Sequence, residues 1–266
     1  MAVPGPSVRK LYVFDGTANL GVDLTSADGR VGAFDPPAVE VALQELAGSA
    51  ASYPTMAPVG HESTEDVTIP IWADSALQGL IDDWHGTTAS DRSNARVLAY
   101  NWKATEAKGS YCEFGKAYLS KVAPKTPPAE LTQLETTWKF TGKAYVGICL
   151  HALGAETADG GAPAGSGIDH GASTALGGTG AFGYTTYTAD GATGLAVRVV
   201  DSADDATYGA LITFTTVTAT TGGGQISTLA ATETVERYVD CDWDFTGTPG
   251  AGTTATFWVA FARTLA

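Results

Sequence analysis

Charge is scarce in this chain of 266 residues, and positive charge is scarcer still. Charged side chains make up 17% of the sequence, below the usual quarter. Only 15 Lys and Arg stand against 29 Asp and Glu, a net charge of -14. A surface this acidic excludes a grip on nucleic acid through neutralised phosphates. It does not exclude surrounding nucleic acid without holding it. The deficit is uneven: residues 1–147 hold 12 basic and 17 acidic side chains, residues 148–266 hold 3 and 12. Cysteine is nearly absent. Cys112, Cys149 and Cys241 are too few and too scattered for a disulfide framework or a zinc site, so reduced, half-buried thiols are expected. No apolar run approaches the roughly 18 residues of a membrane helix. No apolar core of a signal peptide follows Met1-Ala2-Val3-Pro4-Gly5. The expectation is a soluble product made in the cytoplasm, with no membrane insertion.

What is present is turn-rich and apolar. Hydrophobic residues are 44% and Gly numbers 32. Such a balance suits a mainly β protein, or one that hides much of its surface in an assembly. The chain is long enough for one large or two ordinary domains. The stretch Val67 to Gly147 is the organising part. It opens with the strand Val67 to Trp72. A helix is expected over 74–85, because Leu77, Leu80, Ile81 and Trp84 recur at i, i+3, i+4 and i+7. Strands follow at Ala95–Lys103, Tyr111–Leu119 and Leu131–Phe140, with a loop from Ala123 to Pro128, and Lys143–Leu150 closes the unit. Ahead of it, Lys10–Phe14 and Val22–Leu24 read as short strands. Val39, Val41 and Leu43 alternate as a strand, with a helix over Ala38–Leu46 as the competitor. Residues 48–66 show no periodicity and are expected as a long loop, with Tyr53 and Met56 as apolar handles for a neighbouring subunit.

From His151 to Gly183 long side chains nearly vanish. A domain boundary at about 152 is expected, with residues 153–180 as a Gly-rich linker or the start of a second domain. Residues 181–266 then read as a β-sandwich. Its strands are Phe182–Thr188, Leu195–Val200, Ala210–Thr218, Val235–Phe245 and a last one carrying Phe257, Val259 and Phe261. The fold class is mainly β: a helix-bearing sandwich or barrel, then a second sandwich.

Site motifs are thin. Gly178-Thr179-Gly180-Ala181-Phe182-Gly183 matches G-x-G-x-x-G but follows no strand and opens no helix. His61, His85, His151 and His170 lack metal-protease spacing. Gly165-Ser166-Gly167 lacks the full nucleophile elbow. Asp201, Asp204 and Asp205 share one turn that could hold Ca²⁺, without EF-hand spacing. Asp240, Asp242 and Asp244 line one strand face as a solvated stripe or a contact for a basic partner. No catalytic, cofactor or metal residue is assigned, and an enzyme is not the expectation.

Several runs together resemble the major tail protein of long-tailed bacteriophages, the tail tube subunit. They are Val67–Trp72 with Leu77–Trp84, Tyr111–Ser120, and Thr136–Gly142. The runs Val197–Asp204, Glu236–Val239 and Phe257–Arg263 resemble a sandwich appended to phage tail proteins. The resemblance implies a virion protein forming hexameric rings stacked into a tube. Strands would line the bore, the helix would pack outside, and long loop and arms would bridge rings. DNA would pass without sticking, and tape measure and terminator proteins would be partners. The C-terminal sandwich would project outward. The alternatives are a decoration protein, or a binding module whose C-terminal sandwich stacks host-surface glycans on Tyr184, Tyr187, Tyr208 and Trp258.

Overall fold

The computed structural model describes residues 10–15, 20–24, 39–45, 56–64, 66–73, 81, 84–85, 95–101, 106–125, 132–220 and 222–264. Its strands are β1 Leu11–Asp15, β2 Leu20–Asp23, β3 Val39–Glu45, β4 Met56–Thr64, β5 Val67–Ala73, β6 Arg96–Asn101, β7 Tyr111–Lys125, β8 Thr132–Phe140 and β9 Tyr145–Glu156. They continue as β10 Ile168–Asp169, β11 Gly178–Thr188, β12 Ala192–Ser202, β13 Gly209–Thr213, β14 Gly223–Thr228, β15 Tyr238–Gly247 and β16 Thr254–Arg263. The protein is mainly β, as its turn-rich composition predicts.

Ten strands form one sheet in the order β14-β11-β16-β9-β7-β6-β1-β2, with β8 joined to β7 and β5 to β8. The long β7 pairs with β6 on one flank, and its other flank is taken first by β9, then by β8. The sheet curls until β2 lies against β11 and β14, so it is nearly closed. Its interior is filled by Tyr12, Phe14, Phe114, Cys149 and Trp258, with Phe14 and Trp258 stacked at 6.2 Å between ring centroids. Closure needs glycine where the strands converge. A Cβ on Gly183 would stand 2.2 Å from the Phe14 ring, and one on Gly224 2.6 Å from Phe14 Cβ.

The outer face of this sheet is covered in two places. Over β11 and β16 lies a four-stranded sheet, β10-β15-β12-β13. Leu195, Val197 and Val199 of β12 and Val239, Cys241 and Phe245 of β15 pack there on Phe182, Val259 and Phe261. Period-two alternation sends these side chains inward. Over β1 and β6 lies a second cluster of Leu11, Val13, Leu98 and Tyr100, with Val67, Ile69 and Ile71 of β5, Trp138 of β8, Ile81 and Trp84. Every residue of β1 is buried because it has a core on both faces.

Several expectations are corrected. Within residues 48–66, β4 pairs with β3 in a two-stranded sheet, so this stretch is not loop throughout. The register of β3 against β4 also decides Val39–Glu45 as strand over helix. Of the helix expected over 74–85, only Ile81, Trp84 and His85 are described, and they are helical. The rest lies outside the described residues. β7 runs on to Lys125, through the start of the loop expected from Ala123. Residue 152 stands inside β9, which pairs with both β7 and β16. The Gly-rich stretch 153–180 is fastened rather than free: Gly160 bridges Trp243, Thr174 bridges Val235, and Gly165 N donates to Asp205 O at 2.7 Å. Small side chains let this backbone lie flat on its neighbours, and a Cβ on Gly160 would collide with the Trp243 ring. The sandwich of residues 181–266 exists as two facing layers, but β11, β14 and β16 belong to the sheet that continues into β9, β7, β6 and β1.

Candidate assembly surface

Cross-strand register places four side chains in a row on the outer face of the ten-stranded sheet. Tyr111 of β7 stands opposite Ile148 of β9, and Glu113 opposite Val146. Residues directly opposite on antiparallel strands share a face. On one side of this row, Glu113 is opposite Tyr100 of β6, which belongs to the cluster under β5 and β8. On the other side, Ile148 is opposite Phe261 of β16, which belongs to the cluster under the four-stranded sheet. The row is therefore the seam between two covered regions. Tyr111 is 56% exposed and Val146 47%. They are the exposed large hydrophobics among the described residues. Glu113 beside them is buried at 2%. At one end of the seam stands the β8–β9 turn. Thr141 N donates to Lys116 O at 2.8 Å, and Lys143 O lies 3.3 Å from where a Gly115 Cβ would be. Lys116 and Lys143 are both exposed.

A polar hub braces the sheet from the other end of β7. Glu106 Oε2 accepts from Tyr12 Oη at 2.6 Å and from Leu153 N at 3.1 Å. Its Oε1 accepts from Trp258 Nε1 at 2.8 Å. One carboxylate thus ties the loop before β7 to β1, β9 and β16. Two residues on, Lys108 pairs with buried Asp240 of β15, which also accepts from Ser166 Oγ at 2.6 Å. Nothing in the sequence spacing marks this hub, because its partners are 43 to 152 residues away. The seam had a faint signal: Tyr145-Val146-Gly147-Ile148-Cys149-Leu150 is apolar on both faces of a strand.

The residues singled out from sequence fall into other roles. Tyr184, Tyr187 and Trp258 are at most 5% exposed, so they pack the core and make no stacking platform. Tyr208 is half-buried and donates its hydroxyl to Asp205; burial and that carboxylate push its pKa up. Asp201, Asp204 and Asp205 do not converge. Asp204 accepts from Ala206 N and Thr207 N and from Ser202 Oγ, and the two backbone donors hold its pKa down. Asp205 accepts from Gly167 N at 2.9 Å, and Asp201 from Glu236 N at 2.8 Å. Burial raises the Asp201 pKa. Among the described residues no three His, Cys, Asp or Glu side chains are placed to share a metal ion.

The acidic stripe on β15 divides. Asp240 is buried, Asp242 pairs with Arg198 at 2.7 Å, and Asp244 is exposed. The glycine motif 178–183 lies wholly within β11, where it cannot cradle a phosphate. Ser166 donates to Pro163 O and Asp240 with no histidine beside it among the described contacts. His151 stacks on Phe257 at 4.3 Å and meets Glu156 at 3.1 Å. His170 is half-buried, and burial lowers its pKa. His85 is helical and half-buried, while the side chain of His61 and all of Tyr53 lie outside the described residues. Cys112, Cys149 and Cys241 are free and fully buried, and burial drives their thiol pKa values up.

No protein-family profile and no curated protein matches the chain. Among solved structures, a chain of the phage p2 baseplate in its activated conformation is similar, at 15% identity over 97% of this chain and 99% of that one, with a TM-score of 0.34. The SPP1 Dit protein, gp 19.1, is similar at 11% identity over 97% of this chain and 100% of that one, with a TM-score of 0.29.

Proposed function

We propose that this chain is a structural virion protein of a bacteriophage tail that joins copies of itself into rings. Stacked rings, six-fold in the tail-tube family it resembles in sequence, would form the tube through which DNA passes. The observation that supports the reading is the seam of Tyr111, Val146 and Ile148. An exposed apolar strip on a rigid sheet has the character of a protein contact. The acidic balance supports the passage of DNA, since a wall poor in cations releases few counterions and holds phosphate weakly. In this reading the four-stranded sheet stands on the outside of the ring, and other tail proteins such as tape measure and terminator meet its ends. The aromatic platform required for glycan stacking is withdrawn by the burial of Tyr184, Tyr187 and Trp258.

Imaging the purified full chain by electron microscopy across a concentration series tests this. Rings that stack into tubes are expected. Rings that never stack would keep the tail role and replace the tube with a single-ring position. Particles that stay monomeric, alone and with tail partners, would end the reading.

A further inference from the structure

Past β10 the chain continues as a strap, residues 170–177, laid antiparallel along residues 233–237. His170 N donates to Arg237 O at 2.9 Å, and Gly177 N to Glu233 O at 3.0 Å. Between them Thr174 and Val235 exchange both backbone hydrogen bonds, at 2.9 and 2.8 Å. Gly171, Ala172 and Ser173 are exposed, while Val235 is fully buried. Ile168 packs on the sandwich core, and a period of two sets His170 on the same inward face. The His170 Nε2 is enclosed and meets no hydrogen-bond partner among the described residues.

Charged groups from four segments gather at this end of the sandwich. Arg263, at the end of β16, donates from Nη2 to Val235 O at 2.8 Å, and its Nε is also enclosed without a partner among the described residues. Burial first, and then the Arg263 charge, oppose a proton on His170. Asp169 favours that proton, but it is exposed and bound to Arg237 at 2.6 Å. Asp201 of β12 accepts Glu236 N at 2.8 Å, and both carboxylates act on Arg263. Glu233 offers the strap its backbone oxygen, and as a residue it is exposed.

We propose that residues 170–177 form a pH-sensitive strap: a proton on His170, beside Arg263, releases the strap from residues 233–237 and uncovers Val235 while both layers of the sandwich stay folded. This goes beyond the self-assembly reading and stands or falls apart from it. A charged ring enclosed next to a guanidinium costs free energy that release into water removes. The closed strap is fully favoured above pH 6.5, the ordinary value of the ring, and loses that advantage as pH falls below it. One linked proton can raise the open fraction by at most about tenfold per pH unit. Asp201 works in the opposite sense, since burial raises its pKa and protonation there favours the closed form. Release therefore develops above the carboxylate range and slows within it.

Hydrogen exchange of the full chain, read by mass spectrometry and corrected for the intrinsic effect of pH on exchange, tests the strap. Peptides covering 170–177 and 233–237 should exchange at least about threefold faster near pH 5 than near pH 7.5, with peptides from β12 and β16 unchanged. H170Q and H170N cannot take up a proton at this position, and each should exchange equally at the two pH values. Three results overturn the proposal: no acceleration in the wild-type strap, the same acceleration in either variant, or β12 and β16 losing protection in step with the strap, which is global unfolding.

Discussion

Single side chains decide how firmly the curled sheet is held. Glu106 receives four donors, a thiol contact from Cys149 Sγ at 3.9 Å among them, and two come from Tyr12 and Trp258, which are each 1% exposed. Truncation by E106A leaves buried donors without an acceptor and should destabilise the fold by about 3 kcal/mol, read as a shift in the urea midpoint. E106Q, which keeps an acceptor oxygen, should lose less. Arg96 and Asp15 form an ion pair at 2.6 Å with side chains 4% and 2% exposed. Removing one partner of so buried a pair strands the other, so R96M should cost about 3 kcal/mol or more. Acid acts at other points. Burial lowers the His170 pKa below its ordinary 6.5, so the folded state prefers the neutral ring. The stability this gives is complete above pH 6.5 and is lost as pH falls toward the folded value. Asp169, held down to about 2 first by its hydrogen bonds from Arg237 and Gly171 N, adds a loss between about pH 4 and 2. Burial raises Asp201, so it works in the opposite sense through the carboxylate range. H170Q should flatten the stability profile between pH 7 and 5 while leaving the fall below pH 4.

At the scale of elements, the sequence reveals what alternation and turn chemistry carry. Val67–Trp72, Tyr111–Leu119, Leu131–Phe140 and the strand of Phe257, Val259 and Phe261 are all visible, because apolar side chains every second residue face a core. The misses have physical causes. β4 begins at Met56 and contains Pro58 and Gly60, which locally read as breakers; its pairing with β3 is a tertiary fact. The stretch 153–180 has almost no side chains to set a period, and its hydrogen bonds run to Trp243, Val235 and Asp205 far along the chain. β14, Gly223–Thr228, is similarly silent, since it closes the sheet by backbone proximity at Gly224 rather than by side-chain bulk. The sequence alone points to half-buried cysteines, whereas the structure encloses all three, each on a strand flanked on both sides. Ellman's reagent should therefore find none reactive in the native chain and three after unfolding; prompt labelling would contradict the packing of Cys112 and Cys149 around Phe114 and Trp258, or of Cys241 against Phe182, Val259 and Phe261.

For the molecule as a whole, the shared sheet matters more than the change of composition near residue 152. β9 joins β7 to β16, and Phe14 of the first half stacks on Trp258 of the second. Splitting the chain at 152 would divide β9 and expose that stack. The two halves should unfold together, giving one calorimetric transition whose van't Hoff and measured enthalpies agree. Two separated transitions would mean that the halves stand independently. Neither fragment 1–152 nor fragment 153–266 should give a dispersed amide spectrum when made alone.

The packing of Phe14, Phe114 and Trp258 has one more consequence. The nearly closed sheet that the chain rolls up is solid, stoppered by aromatic rings along its axis. A duplex could never thread an individual protomer. Under the ring assembly proposed above, the conduit would therefore be an architectural void encircled by several protomers, its calibre set by how many gather and at what angle.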